Sequence, residues 1–215
     1  MHDHDAVTES GPAPKAPPLG APESGDPAYA IHMGLAEQGK LHALAKEYRL
    51  ALYYYRKAMQ LAVEHAHPEI FFRHYLECVV EALEQLRSFR EVLDYCDRAL
   101  ALYGKTPPQD DVARRDLAHI YQRLGVVQLK LGEPEAARAA LRKGLDVITR
   151  SGGGRQSLPL AQTLLRWIEL GVHIDERRVI AEQERTRYFS VRKDTVAAER
   201  ALRLPDEIVA RECPR

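Results

Sequence analysis

Two pairs of histidines are the residues that could bind a metal ion. His2 and His4 lie in "HDHD", and His65 and His67 lie in "HAH". An N-terminal copper or nickel site needs its histidine at the third position, which His2 does not occupy. The second pair has no cysteine or carboxylate at the spacing of a known zinc motif. We therefore expect all four rings to be solvated, and the chain to bind no metal or other cofactor.

The three cysteines could supply a nucleophile or a disulfide. Their odd number and scattered positions fit a reducing cytoplasm better than a disulfide framework. A nucleophilic thiol needs an oriented base, and Cys78 has only Glu81 one helical turn away. Cys96 falls at a packing position, where it is expected to be buried. The sequence therefore predicts no catalytic site and no enzyme.

Acidic and aromatic side chains could form binding contacts. Glu77, Glu81 and Glu84 fall on one face of a helix and could receive a basic segment, although a solvated face is expected by default. The tyrosine run at 53–55 spans about one helical turn, so its members face different ways. Tyr55 is expected in the core, as is at least one of its two neighbours, and the remaining ring could be an interface anchor.

The overall charge excludes broad electrostatic attraction to nucleic acid or membranes. The 215 residues contain 31 Lys plus Arg and 31 Asp plus Glu. No apolar run reaches the roughly 18 residues of a membrane span. The first fifteen residues, "MHDHDAVTESGPAPK", lack the apolar centre of a secretory signal. We expect a cytoplasmic protein.

The periodicity of the sequence predicts an all-α fold. Residues 1–26 are rich in proline and are expected to be a disordered tail. From there on, apolar residues recur at helical spacing with no convincing strand. Short breaks such as "LGEPE", where Gly132 can end one helix and Pro134 can begin the next, predict about eight helices in antiparallel hairpins. Asp110 or Asp111, and Ser157, resemble N-caps, and the glycines at 151–154 form the most flexible joint.

A repeated frame of small and bulky residues underlies these hairpins. It is clearest from Tyr121 to Gly144, and its frames begin 41 and then 45 residues apart. Glycine inside a helix costs about 1 kcal/mol relative to alanine, so a repeated glycine suggests close packing of two helices. Gly144 is expected to face the next hairpin. The frame positions are Leu35, Gly39, Ala51, Tyr55 and Ala58; Leu76, Val80, Val92, Cys96 and Ala99; Tyr121, Gly125, Ala137, Leu141 and Gly144.

This pattern resembles the tetratricopeptide repeat. The segments "YQRLG" at 121–125 and "WIELG" at 167–171 match its aromatic-x-x-Leu-Gly signature, "LAEQG" at 35–39 matches in part, and "LECVV" at 76–80 departs further. The spacing exceeds the family's usual repeat of about 34 residues and is similar to that of kinesin light chain and bacterial peptide-sensing regulators. The resemblance implies a right-handed superhelix over 27–172, with a capping or dimerising helix and a short tail over 173–215. A helical bundle without repeats remains the alternative.

The resemblance also implies a concave groove lined by the first helix of each pair. Only Arg123 could fill the family's carboxylate-binding role, so a chaperone C-terminus is not the expected ligand. The implied function is a non-catalytic adaptor, chaperone or assembly factor that binds a segment of another protein. The alternative is a structural subunit of a larger machine, bound through the convex face and the ends. The implied groove residues are Met33, Ala36, Lys40, His74, Glu77, Glu81, His119, Gln122, Arg123 and Val126.

Overall fold

The computed structural model describes residues 26–150 and 157–213, without the side chain of Arg150. Within these two ranges every regular element is helical and no strand occurs, which confirms the all-α prediction. The predicted tail at 1–25 and the glycines at 151–154 lie outside them. The α-helices are α1 Pro27–Leu44, α2 Tyr48–Glu64, α3 Glu69–Gln85, α4 Phe89–Lys105, α5 Asp111–Lys130, α6 Pro134–Arg150, α7 Pro159–Glu169, α8 Glu176–Arg185 and α9 Asp206–Glu212.

The helix ends follow local sequence chemistry. Asp26, Asp110 and Asp175 each accept a hydrogen bond from a main-chain N–H of the helix that follows, as N-caps do. Ser157 was expected to cap α7, but Leu158 occupies the cap position without a side-chain bond. Six turns after helices contain a residue with positive φ, as is common at helix C-termini: Lys46, Ala66, Arg87, Gly132, Gly171 and Arg187.

Consecutive helices pack against each other, and glycine permits the closest approach within two hairpins. A Cβ on Gly39 would lie 2.6 Å from the Tyr55 ring and 3.3 Å from the carbonyl oxygen of Ala51. A Cβ on Gly125 would lie 2.6 Å from Leu141. The predicted contact between a glycine, a small residue and a bulky residue is therefore confirmed in these two hairpins.

Two other glycines do not have the predicted role. A Cβ on Gly144 would meet the carbonyl oxygen of Ala118 at 3.1 Å and Tyr121 Cβ at 3.2 Å, so Gly144 faces α5 of its own hairpin. Gly171 follows the end of α7 with a φ of 64° and has no neighbour within 4 Å. It ends a helix, as left-handed glycines do, and "WIELG" is not a packing site of the expected kind.

Apolar side chains between the helices form three buried clusters. Tyr54 and Tyr55 are both buried, as are Cys78 and Cys96. Burial raises the pKa of the Cys78 thiol, which disfavours the thiolate. Tyr53 is half-buried and donates a hydrogen bond to Glu212. No helix in the described part of the chain has the length and apolar character needed to cross a membrane.

The C-terminal region departs most from expectation. A capping or dimerising helix and a short tail were predicted over 173–215, but α8 ends at Arg185 and Arg187 then takes a φ of 54°. Two short 3-10 turns, Lys193–Thr195 and Ala198–Arg200, interrupt the extended chain that follows. We call residues 188–204 the strap. Side chains of other helices satisfy several of its main-chain N–H groups, so helical hydrogen bonds are not needed there.

Candidate binding surface

The strap lies across α3 and α1 and presents its main chain to two carboxylates. The N–H of Ser190 donates to Glu81 Oε1 at 2.6 Å, and that of Val191 donates to Glu81 Oε2 at 3.3 Å. The N–H of Ala197 donates to Glu37 Oε2 at 2.8 Å. These contacts hold the strap by its backbone.

The last part of the strap approaches α1 and α2 closely. The N–H of Leu202 donates to the carbonyl oxygen of Gly34 at 2.9 Å, and that of Leu204 donates to the Tyr54 hydroxyl at 3.1 Å. A Cβ on Gly34 would lie 2.7 Å from Leu202 Cβ and 2.9 Å from the carbonyl oxygen of Arg200. The missing side chain at Gly34 thus admits the strap, as glycine does wherever two backbones meet closely.

Glu84 is the centre of a buried polar network where the strap begins. Its carboxylate accepts hydrogen bonds from Lys130 Nζ at 2.8 Å and Gln183 Nε2 at 2.7 Å. The Tyr188 hydroxyl donates to the same carboxylate at 3.2 Å. Because the Glu84 side chain is completely buried, each donor offsets part of its lost hydration. The network joins α3, α5, α8 and the strap.

Arg123 supplies the second cation of this network. It is buried, donates to Glu77 and to Glu84 at 3.4 Å, and lies 5.3 Å from the centre of the Tyr188 ring. Burial opposes its charge, but the nearby carboxylates, led by Glu77, outweigh that cost and raise the pKa of Arg123 further above its usual range. The guanidinium therefore stays charged beneath the strap.

Glu81 has the most displaced carboxyl pKa near the strap. Burial is the main cause, and repulsion from Glu77 adds to it, so that the pKa rises to about 7. Arg123 and the main-chain N–H of Ser190 act in the opposite direction. The expected solvated acidic face is therefore wrong, because Glu81 and Glu84 are buried, with partners in the strap for Glu81 and in other helices for Glu84. The inner surface, as we name it, consists of Gly34, Glu37, Glu81, Glu84 and Arg123.

The ten predicted groove residues do not share one environment in the structure. Glu77, Glu81 and Arg123 belong to the polar network or contact the strap directly. Lys40 is buried and donates to Glu37 at 2.7 Å, which holds the acceptor of Ala197 in place. Met33 is half-buried.

Three of the ten residues are structural and do not face an open groove. Ala36 and Val126 are buried in two of the apolar clusters. Gln122 is buried and its side-chain oxygen accepts a hydrogen bond from the N–H of Ala161, at 3.2 Å, near the start of α7. The prediction of these three as groove residues is wrong because they pack between helices.

His74 and His119 are the two predicted groove residues that remain exposed. Burial by surrounding atoms lowers the pKa of both rings, and Lys40 adds to this effect at His74. Protein atoms therefore surround much of each ring, although solvent still reaches both. They suit probes of this surface because both are exposed, although His74 Nε2 lies 4.0 Å from Cys78 Sγ.

The segment after the strap packs loosely on α2. Glu212 of α9 accepts hydrogen bonds from Tyr53 at 3.1 Å and Lys57 at 2.7 Å. A cleft of about 900 Å³ separates α9 from α2, and its lining includes Tyr54, Val209 and Cys213. A smaller cavity of about 80 Å³ lies beneath Phe189 and Val191. The C-terminal region is therefore less tightly packed than a protein core.

His65 of the second histidine pair is exposed as expected, but His67 is not. His67 is nearly buried and contacts Asp26 Oδ2 at 2.7 Å through Nε2, while its ring centre lies 4.6 Å from that of His32. His32 Nδ1 lies 2.6 Å from the Tyr75 hydroxyl, and burial lowers the pKa of His32 to about 4. Within the residues that the structure describes, no group of three His, Cys, Asp or Glu side chains is arranged to hold a metal ion. His2 and His4 lie outside these residues.

Comparison of the chain with protein-family models, curated proteins and solved structures found no match. The function is therefore inferred from the geometry of the inner surface. Sequence reasoning missed Gly34, Glu37 and the strap itself. Gly34 carried a usable signal, since it interrupts a predicted helix and has no place in the repeated frame.

Proposed function

We propose that this protein is a non-catalytic protein-binding module that holds an extended segment of a partner on its inner surface. The observation that carries the proposal is the strap, because an extended polypeptide already lies there with its main-chain N–H groups on Glu81 and Glu37. A surface that satisfies the backbone of one extended segment has the chemistry to satisfy that of another.

The repeat pattern supports the same proposal at the level of architecture. The contacts of Gly39 with Tyr55 and of Gly125 with Leu141 are of the kind that the tetratricopeptide signature implies. A superhelix of such hairpins presents one face of its first helices to a ligand. The inner surface is built from α1, α3 and α5, which are the first helices of three pairs. We extend the proposal to an adaptor, chaperone or assembly factor of the cytoplasm, where three unpaired cysteines are ordinary.

A structural subunit of a larger assembly is the second candidate. The observation that favours it is a set of large apolar side chains that are more than half exposed in the described chain, since buried apolar contacts are typical of permanent interfaces. If these side chains contact neighbouring subunits, the protein binds through its outer face and ends. They are Val63, Ile70, Leu102, Val112 and Leu170.

Site-specific photo-crosslinking in the native cell distinguishes the two candidates. A photoreactive phenylalanine analogue replaces His74 or His119 beside the inner surface, and Arg142 on α6 is the matched exposed control. The proposal predicts that one partner is crosslinked from positions 74 and 119 but not from 142, and that its crosslinks map to one contiguous segment. Crosslinks from position 142 alone would favour the structural subunit. Lys40, Glu81 and Gln122 are unsuitable positions because all three are buried.

A further inference from the structure

We propose that the strap is a built-in competitor for the inner surface, and that the partner segment displaces it and binds through the same main-chain contacts. This inference rests on the proposed function, because it assigns that function's ligand class and its regulation. The occupant to which we commit is an extended segment of another protein.

The strap shows what the inner surface recognises. Apart from the bond of the Tyr188 hydroxyl, its hydrogen bonds to α1, α2 and α3 are donated by main-chain N–H groups. Side chains such as Lys193, Glu199 and Arg200 point to solvent. The surface therefore selects for extended conformation and for free N–H groups rather than for one sequence. A fitting segment lacks proline where the strap has Ser190 and Ala197, because proline has no N–H to donate.

The beginning of the strap adds a side-chain requirement. The Tyr188 hydroxyl donates to Glu84, and the Tyr188 ring lies beside the Arg123 guanidinium. An aromatic ring over a cation is attractive, and more so when both are shielded from water. The partner segment is therefore expected to carry an aromatic residue about nine positions before the main-chain group that takes the place of Ala197.

The packing of the C-terminal region permits displacement without unfolding of the helices. The internal main-chain hydrogen bonds of the strap lie at its two 3-10 turns, and its internal side-chain bonds are those of Arg192 and Thr195, so none of them ties it to a helix. Cavities lie beneath Phe189 and between α9 and α2. Segments with few buried apolar contacts open at a lower free-energy cost than core helices. Release of residues 188–213 leaves the contacts within the three hairpins of α1 to α6 in place.

Gly34 provides a way to release the strap selectively. The three nearest atoms to a Cβ at this position all belong to the strap, at 2.7, 2.9 and 3.4 Å. Alanine in place of Gly34 therefore collides with the strap alone, and it favours the helical conformation of α1. Gly104 in α4 is the matched control, because a Cβ there has no neighbour within 4 Å.

The test uses the full chain and a fluorescent peptide with the sequence of residues 187–205. Anisotropy titrations compare the wild type with Gly34→Ala and Gly104→Ala. Amide hydrogen exchange of Leu202 and Leu204 reports whether the strap has left its site. We expect faster exchange and at least tenfold tighter peptide binding for Gly34→Ala, with Gly104→Ala unchanged. Adding Glu37→Gln and Glu81→Gln to Gly34→Ala is expected to remove that gain.

The remaining outcomes overturn the inference. If exchange at Leu202 rises in Gly34→Ala without tighter peptide binding, the vacated surface does not take an extended segment. If the average mass of Gly34→Ala rises with protein concentration toward that of a dimer, the occupant is the strap of a second copy. The proposal of an external partner is then wrong. Failure of this test can be distinguished from failure of the proposed function. If positions 74 and 119 crosslink to the partner equally in wild type and in Gly34→Ala, the protein is a binding module, but the strap does not compete with the partner.

Discussion

At the residue scale, the inner surface depends on carboxylates that a helical pattern alone assigns to solvent. Glu84 is three residues from Glu81 on α3, but its cationic partners, Arg123 and Lys130, are 39 and 46 residues away along the chain. Periodicity identifies residues that share a helix face, and it carries no information about which distant helix covers that face. The acidic stripe was therefore predictable, while its burial was not.

The raised pKa of Glu81 makes a prediction about pH dependence. Burial raises this pKa from 4.5 to about 7, with a contribution from Glu77. Between these values the folded chain binds more protons at this site than the unfolded chain, so the contribution of Glu81 to the free energy of unfolding falls as the pH rises. Gln at this position does not titrate. The free energy of unfolding of Glu81→Gln, relative to wild type, should therefore increase from pH 5 to pH 7 and then level off.

Urea denaturation at pH 5, 6, 7 and 8 measures this difference. Glu184→Gln on α8 is the matched control, because it makes the same change at an exposed glutamate. A difference for Glu81→Gln that decreases as the pH rises would contradict a pKa raised by folding.

At the element scale, the turns between helices place ordinary residues where glycine is usual. Ala66, between α2 and α3, has a φ of 50° and is exposed, and the equivalent turn between α5 and α6 has Gly132 with a φ of 78°. The left-handed conformation costs a residue with a Cβ about 1–2 kcal/mol. Helix termination is thus encoded in the preceding helix and its packing, because four of the six positive-φ turns form without glycine.

Ala66→Gly is therefore expected to stabilise the protein. The relief of left-handed strain exceeds the extra entropy of glycine in the unfolded chain, for a net gain of about 0.5–1 kcal/mol. Ala139→Gly is the matched control, since Ala139 is exposed within α6 and the same change there should cost about 1 kcal/mol. Chemical denaturation measures both. Equal destabilisation by the two changes would show that the turn at Ala66 is not strained.

An element could be predicted from the sequence where the interactions that form it are between residues close along the chain. The hairpins and the contacts of Gly39 and Gly125 could be predicted, because helix periodicity and a small residue at fixed spacing are local patterns. The strap could not be predicted from local patterns. Hydrogen-bond acceptors on α1, α2 and α3 determine its conformation, and its own periodicity does not. The sequence predicted a helix in this region, and tertiary contacts overrode that preference.

At the scale of the whole molecule, the strap connects the end of the described chain to its beginning. The contact between Leu202 and Gly34 joins residues 168 positions apart, and that between Ala197 and Glu37 joins residues 160 apart. Contacts over such long separations carry a large loop-closure cost when they form alone. They are stable here because α1 to α8 have already brought both ends together.

This arrangement predicts that the strap opens before the helices unfold. The amides of Ser190, Ala197 and Leu202 should exchange with solvent hydrogen as one group, through an opening with a small dependence on denaturant. Amides in the middle of α5, such as Val126, should exchange only with global unfolding. Native-state hydrogen exchange at increasing urea concentration measures the two classes. A common denaturant dependence for both would show that the strap is part of a single cooperative unit.

The sequence distance between the strap and Gly34 has a consequence for biosynthesis. A ribosome delivers α1, α3 and α5 well before residues 188–204, and domains begin to fold in that order. The nascent chain therefore presents Glu37 and Glu81 uncovered while the segment that later covers them is still being translated. A partner that meets the chain on the ribosome has no competitor to displace, so translation itself opens a period in which the complex can assemble.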